Sequence, residues 1–224
     1  MFCFFVDEPF SRRATGDFLL RTLSAECINL SKEKQNQSGG GQSSGGRGGG
    51  GWSSAKGGEI TCLSPSQHVL SQSCINITKT GEIVILLTVN LPARGRSILG
   101  QVASKMFGIE LPNLIYNSVL FSSVNPQALE EHVFSLLDSV WLRNQLEPNG
   151  FVSFIPDGSI LPRLSGASDK PLKVVNTNNQ FQGGSMESSP PPTTAFKAPP
   201  HLRVQFQLPN SNVMITGLPI HKGK

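Results

Sequence analysis

Apolar residues recur every three to four positions in four stretches of this chain, and every second position near its end. In the first stretch Phe18, Leu19, Leu20, Leu23 and Ile28 share a face and predict a helix over 12–30, with Gly16 weakening its start. Ser97 to Phe107 places Ile98, Val102 and Met106 at i, i+4 and i+8, a second helix. A third opens near Pro112-Asn113 and carries Leu114, Ile115, Val119 and Leu120. The fourth has the clearest boundaries. Asn125 is suited to cap it and Pro126 to its first position. Leu129, Val133, Leu136, Val140 and Trp141 follow at helical spacing, and Pro148-Asn149-Gly150 stops it.

Strand patterns lie between and after these helices. Glu59–Leu63 and Ser73–Thr78 read as short strands. Lys79-Thr80-Gly81-Glu82 is a hairpin turn leading into Ile83–Val89, whose β-branched content favours a buried strand. Phe151–Ile155 is strand-like and runs into the turn Pro156-Asp157-Gly158. Near the end Leu202, Val204, Phe206 and Leu208 alternate with Arg203, Gln205 and Gln207. Pro209–Asn212 then turns the chain and Val213–Thr216 returns as a partner strand. The pattern as a whole predicts an α+β fold: small antiparallel strands packed with three to four helices, followed by a C-terminal β-hairpin.

Composition interrupts this picture twice. Between Gly39 and Gly58 there are 11 glycines in 20 residues, and from Asn176 to Pro200 the chain is polar with Pro190-Pro191-Pro192 inside it. Neither tract carries enough apolar surface to offset its ordering entropy, so both read as low-complexity loops or linkers. The 224 residues suffice for one large domain or two small ones. Charged residues are only 15% and the net charge is +4, a mild excess that permits an anionic partner without requiring one. No apolar run reaches 18 residues, which excludes a spanning helix, and Met1–Val6 meets Asp7-Glu8 too early for a secretory leader. A cytoplasmic, non-secreted protein is expected. Cys3, Cys27, Cys62 and Cys74 form no CxxC and do not combine with histidines at ligand spacing, so free thiols and no metal site are expected.

Little of the usual chemistry of sites is present. Gly46–Gly51 satisfies G-x-G-x-x-G only because nearly every position is glycine. Gly217–Lys224 has five residues between its glycines and no Ser or Thr after the lysine, so it is no phosphate loop. His132 reads as a surface or half-buried helix residue. Arg47, Trp52 and Lys56 in the Gly-rich tract are candidates for single-stranded nucleic-acid contact through phosphate and base stacking. The segment from Asp157 to Pro171 is unlike an ordinary connector. Asp157, Gly158, Arg163, Ser165, Gly166 and Asp169 combine small residues with charges able to approach an anion. The alternative is an ordered loop in which the arginine pairs with one of the aspartates.

That same segment, Phe151–Arg163 with Ser165-Gly166 and Ser168–Leu172, resembles the predicted ATPases of the ABC class. Their corresponding stretch is similar to V-A-D-G-S-I-L-P-R-x-S-G-x-S-D-x-P. Leu91-Pro92-Ala93-Arg94-Gly95-Arg96-Ser97-Ile98-Leu99-Gly100 resembles the family's L-P-A-x-G-R-x-I-x-G. Ala198–Val204 and Thr216–Ile220 resemble the run into its nucleotide domain. The resemblance implies ATP and Mg²⁺ as cofactors of the full-length protein, with the six loop residues as a nucleotide or functional loop. It also implies a chain that stops before the Walker A loop and lacks the Walker B and signature motifs, so that these residues alone are inactive.

The expected organisation is an N-terminal helical segment (1–38), the Gly-rich loop (39–58), the α+β N-terminal domain of the ATPase (59–175), a polar linker (176–200) and the opening hairpin of a truncated nucleotide-binding domain (201–224). The partner would be the remainder of that domain or a second copy. The alternative from another class is a small basic RNA-binding or interaction module using the Gly-rich arm.

Overall fold

A computed structural model describes residues 8–38, 57–172 and 194–223. The chain divides into two compact units, Met1–Leu136 and Leu137–Lys224. Both are built from helices and small antiparallel sheets, as the pattern predicts.

The first unit is organised on helix α1, Pro9–Ser38. It begins earlier than expected because proline is tolerated in a first turn, where its missing N–H has no helical partner anyway. Leu19, Leu20, Leu23 and Cys27 are buried on the side that packs on α3 (Leu111–Ser118) and on strands β1 (Ile60–Thr61) and β2 (Ile75–Ile77). Ile28, expected on that face, is 48% exposed, because one residue past Cys27 is a turn of 100° away from the packed stripe. Gly16 does not break the helix. Its missing side chain lets Ile75 and Ile77 of β2 approach the helix backbone.

The run Ile83–Val89 is not one buried strand. It divides into β3 (Ile83–Ile85), paired antiparallel with β2, and β4 (Thr88–Val89), paired with β1. Only one face of β3 is covered. Ile83 and Ile85 are half-buried, while Val84 and Leu86 stand out in solvent. The turn between β2 and β3 forms as predicted, with Thr78 N–H donating to the Glu82 carbonyl at 2.9 Å.

The helix predicted from Ser97 starts later. Ser97–Ile98 is strand β6, closed against β5 (Ala93–Arg94) by the Gly95-Arg96 turn, and Ile98 is 63% exposed. A short hairpin thus occupies the first part of what reads as helical periodicity. From Gly100 the helix is continuous to Ser118: α2 (Gly100–Lys105), a π-helical turn (Met106–Glu110) and α3. Pro112 accounts for the π turn. It cannot donate to the carbonyl four residues back and its ring crowds that carbonyl. The neighbouring Leu111 N–H bonds Met106 O, five residues back, instead. Met106 is fully buried there, and with Ile60, Leu114, Leu129 and Val133 it completes the core around α1.

Helix α4, Pro126–Leu146, matches its prediction. Asn125 Oδ1 accepts from the N–H groups of Gln127 at 3.0 Å and Ala128 at 3.3 Å. Its later residues belong to the second unit, where Trp141, Phe151 and Phe154 meet the ring of Phe206 edge-on at 5.3–6.5 Å between centroids.

The sheet of that unit has the order β10-β11-β7, with β7 at Phe151–Pro156, β10 at Val204–Gln207 and β11 at Met214–His221. The predicted C-terminal hairpin is present but forms two-thirds of a larger sheet. Strand β11 continues past Thr216 and pairs Leu218 with Ile155, so it is the central strand. Leu202, expected to begin the alternation, lies in a 3₁₀ turn (Pro200–Leu202) and is 48% exposed. A side chain on Gly217 would collide with the Ile155 carbonyl oxygen and the Phe154 ring, which explains glycine at the middle of this sheet.

The β10–β11 turn is held to α4 by one carboxylate. Asp138, 3% exposed, accepts from Asn210 N (3.0 Å), Asn210 Nδ2 (2.8 Å), Ser211 N (2.9 Å) and Ser211 Oγ (2.5 Å). Asp138→Ala is expected to cost about 2–3 kcal/mol in denaturant unfolding, since it strands four donors. Gly217→Ala should cost about 3 kcal/mol by backbone collision. Variants as stable as the parent would show that neither contact holds the sheet.

Candidate functional site

Strand β7 ends at Pro156, and Asp157-Gly158 carries the chain away from the sheet. Gly158 has φ +89°, a conformation that a side chain would strain. Its N–H bonds the Phe196 carbonyl at 2.8 Å, and the Phe196 N–H bonds Ser159 O at 2.8 Å. The last part of the segment expected to be a polar linker is therefore docked on this turn, and Ala198 within it is 2% exposed.

Asp157 is the centre of the arrangement. Its carboxylate accepts from Ala198 N–H at 2.5 Å and Thr216 Oγ1 at 2.9 Å, and lies 3.4 Å from Arg203 Nε. That Nε also donates to the Ala198 carbonyl at 2.9 Å. The Ala198 N–H holds the Asp157 carboxyl below the usual carboxylate range against a smaller opposing effect of burial. The Thr216 hydroxyl and the Arg203 and Lys197 charges add to the lowering. A carboxylate engaged by three donors is an anchor rather than a proton acceptor.

Arg163 and Ser165 stand exposed in β8 (Arg163–Ser165), and Gly166 is exposed in the turn that follows. Asp169 lies in β9 (Ser168–Pro171), which pairs with β8, and its side chain is outside the described residues. Arg203, rather than Arg163, is the arginine that pairs with Asp157. The three segments whose sequences carry the family resemblance, around Asp157, Ala198–Arg203 and Thr216, thus meet at one carboxylate. Ala198, Arg203 and Thr216 were not singled out as site residues, although each stood inside a quoted motif. Arg47, Trp52 and Lys56 lie outside the described residues.

Another constellation was missed in the first unit. Asp17, buried on α1, accepts from Arg21 Nε at 2.6 Å, and its Oδ2 lies 3.1 Å from Nε2 of His132 on α4. Arg21 also reaches the Ser66 carbonyl at 2.7 Å. His132 is half-buried as expected, but its partner, 115 positions away in sequence, has no local signal. Burial alone would raise the Asp17 carboxyl. Hydrogen bonds from His132 and Arg21 and their charges more than offset it, leaving it below the ordinary 3.8. Asp138 behaves alike, its burial outweighed by the Ser211 and Asn210 donors.

Cys27, Cys62 and Cys74 are free thiols. Burial, with Cys62 alongside, pushes the Cys27 thiol up to about 12, and burial raises Cys62 as well, so both stay protonated and poorly reactive near neutral pH.

Two family models match consecutive parts of the chain. One describes the N-terminal domain of ATPases of the ABC class and covers residues 49–122. The other, the P-loop domain of ABC-class ATPases, covers residues 125–224. The chain belongs to the ABC-class ATPases, and it carries an amino-terminal region of one. No curated protein matches the chain. The family implies ATP and Mg²⁺ in general. Asp157 is consumed by protein donors, and no three His, Cys, Asp or Glu side chains among the described residues are placed to hold a metal. No helix among them is long and apolar enough to cross a membrane.

Asp157→Ala should lower the melting temperature by releasing Ala198, Thr216 and Arg203, whereas Arg163→Ala should leave it unchanged. Calorimetric melts of both variants check this. The lowered carboxyls of Asp17 and Asp138 stabilise the fold fully above their ordinary 3.8, and that contribution disappears as pH falls through their lower folded values. Urea midpoints should therefore drop steeply below about pH 4, and less steeply in the Asp17→Asn, Asp138→Asn double variant.

Proposed function

We propose that residues 1–224 act as the non-catalytic amino-terminal part of an ABC-class P-loop ATPase, with ATP and Mg²⁺ engaged by sequence outside them. The observation that carries this reading is the Asp157 junction. The family-like segments at residues 157, 198–203 and 216 are spent on one another, stabilising a sheet, instead of facing a nucleotide. The sequence adds support, since no G-x-x-x-x-G-K-[ST] occurs in it. On this reading Asp157 and Gly158 shape a loop that braces the sheet, and Arg163, Ser165, Gly166 and Asp169 present the β8–β9 hairpin to the rest of the ATPase or to a second copy.

On this reading the continuation adds to the sheet. Strands β7 and β10 are the outer members of the order β10-β11-β7, and an outer strand has backbone donors and acceptors free for a further strand. Hydrolysis requires charge-neutralising groups around the β- and γ-phosphates, which the Walker loop and Mg²⁺ supply in P-loop proteins. The role left to this region is to bind and orient that machinery, a gating role rather than a chemical one.

The test compares Mg²⁺-dependent ATP hydrolysis by residues 1–224 with that of a chain extended by the natural downstream sequence. The short chain should be inactive and the extended one active. Hydrolysis by residues 1–224 alone would overturn the proposal. So would an inactive extended chain whose short form binds single-stranded RNA in a salt-sensitive manner lost on deleting 39–58, which would make this a nucleic-acid-binding module.

A further inference from the structure

Helix α1 and strand β1 pack against each other in the first unit, and a thiol stands on each side of that contact. Cys27 lies on the buried face of α1, and Cys62 directly follows β1, half-exposed to solvent. The two side chains are hydrogen-bonded to one another, and the Cys62 backbone N–H donates to the Cys27 sulfur. Ser24, buried one turn before Cys27 on the same face, donates its hydroxyl to the Cys62 sulfur. These bonds hold two sulfurs side by side although their residues are 35 positions apart in sequence. Cys74 bears on Cys62 through charge rather than through a hydrogen bond.

We infer that Cys27 and Cys62 are a redox-sensitive pair that hydrogen peroxide converts into a disulfide, stapling α1 to β1. Cys62, the half-exposed member, meets the peroxide first. Its sulfur takes one peroxide oxygen to become a sulfenic acid, and the O–O bond breaks with release of water. The Cys27 sulfur then attacks the Cys62 sulfur. The S–S bond forms as the S–O bond breaks, and the hydroxyl leaves as water with the Cys27 proton. In all, two thiols lose two electrons and two protons, and one peroxide is reduced to two waters. The second step is favoured by contact, because the sulfurs need only close from hydrogen-bonding range to about 2.05 Å. Burial keeps both thiols protonated and slows the first step, so the pair responds to sustained oxidant rather than to a trace of it. The bond closes a loop that contains the whole Gly-rich tract, Gly39–Gly58. The pair is separate from the Asp157 junction and does not depend on the ATPase reading.

The experiment treats the 224-residue protein with hydrogen peroxide, blocks the remaining thiols with iodoacetamide and maps the tryptic peptides by mass spectrometry. Trypsin releases Cys27 on Thr22–Lys32, and Cys62 together with Cys74 on Gly57–Lys79. These two peptides should appear joined, with fragmentation placing the link at Cys62, and dithiothreitol should separate them. Oxidation should also raise the melting temperature by about 5–10 °C, since a cross-link closing a loop of this length constrains the unfolded chain. Cys62→Ser, at a half-exposed position, and Cys27→Ala should each abolish both the link and the shift. Far-UV circular dichroism verifies that each variant is folded. A peroxide-treated parent in which Cys27 and Cys62 remain unlinked, pair with Cys74 or Cys3, or stop at sulfinic acid would overturn the inference. So would a linked parent that melts where the reduced protein does.

Discussion

A carboxylate shut away from water must be supplied with donors, and much of this chain is arranged around that demand. Many of its strands are two or three residues long, and a ladder that short carries too few backbone bonds to fix distant segments. Aspartates do that work instead. Asp17 draws Arg21 and His132 together, Asp138 gathers the backbone and side chains of Asn210 and Ser211, and Asp157 collects Ala198, Thr216 and Arg203. Apart from Arg21, one helical turn from Asp17, these donors come from sequence far from the acid, so one side chain closes a long loop. Closing a long loop costs little more entropy than closing a short one, whereas a lost acceptor strands several buried donors at once.

This dependence on single acceptors also explains which parts of the fold were legible beforehand. Helix α4 was, because its signals are local: an Asn cap, a proline at the first position and an apolar stripe. The α+β class and the C-terminal hairpin were legible for the same reason, since alternation and turn residues are short-range. The start of the second helix was not. Ile98, Val102 and Met106 have helical spacing, yet Gly95-Arg96 closes a hairpin around the first of them, and turn chemistry prevailed over periodicity. The split of Ile83–Val89 was hidden too, because a β-branched run does not say whether its two halves have the same partner.

The candidate site divides along the same line. The six residues Asp157, Gly158, Arg163, Ser165, Gly166 and Asp169 were singled out because their segment is unusual and family-like. Asp157 and Gly158 sit at a hydrogen-bonded junction. Arg203 and Thr216 were passed over as alternating strand or motif residues, since a partner 46 or 59 positions away leaves no trace in local pattern. Asp17 and His132 show the extreme of this: neither looks unusual on its own helix, and only folding joins them.

A dense motif is commonly taken as the mark of a ligand site, and the Asp157 junction argues for a different reading here. Three separate motif segments converge, but the atoms that converge are donors and acceptors in matched number. The carboxylate has Ala198, Thr216 and Arg203, and Arg203 in turn has the Ala198 carbonyl. A site kept for a ligand leaves some of that capacity open. A junction whose bonds are all internal requires its central acid just as strictly, because replacing Asp157 strands the donors that meet there. The demands of folding are therefore enough to fix Asp157 and its partners in this sheet.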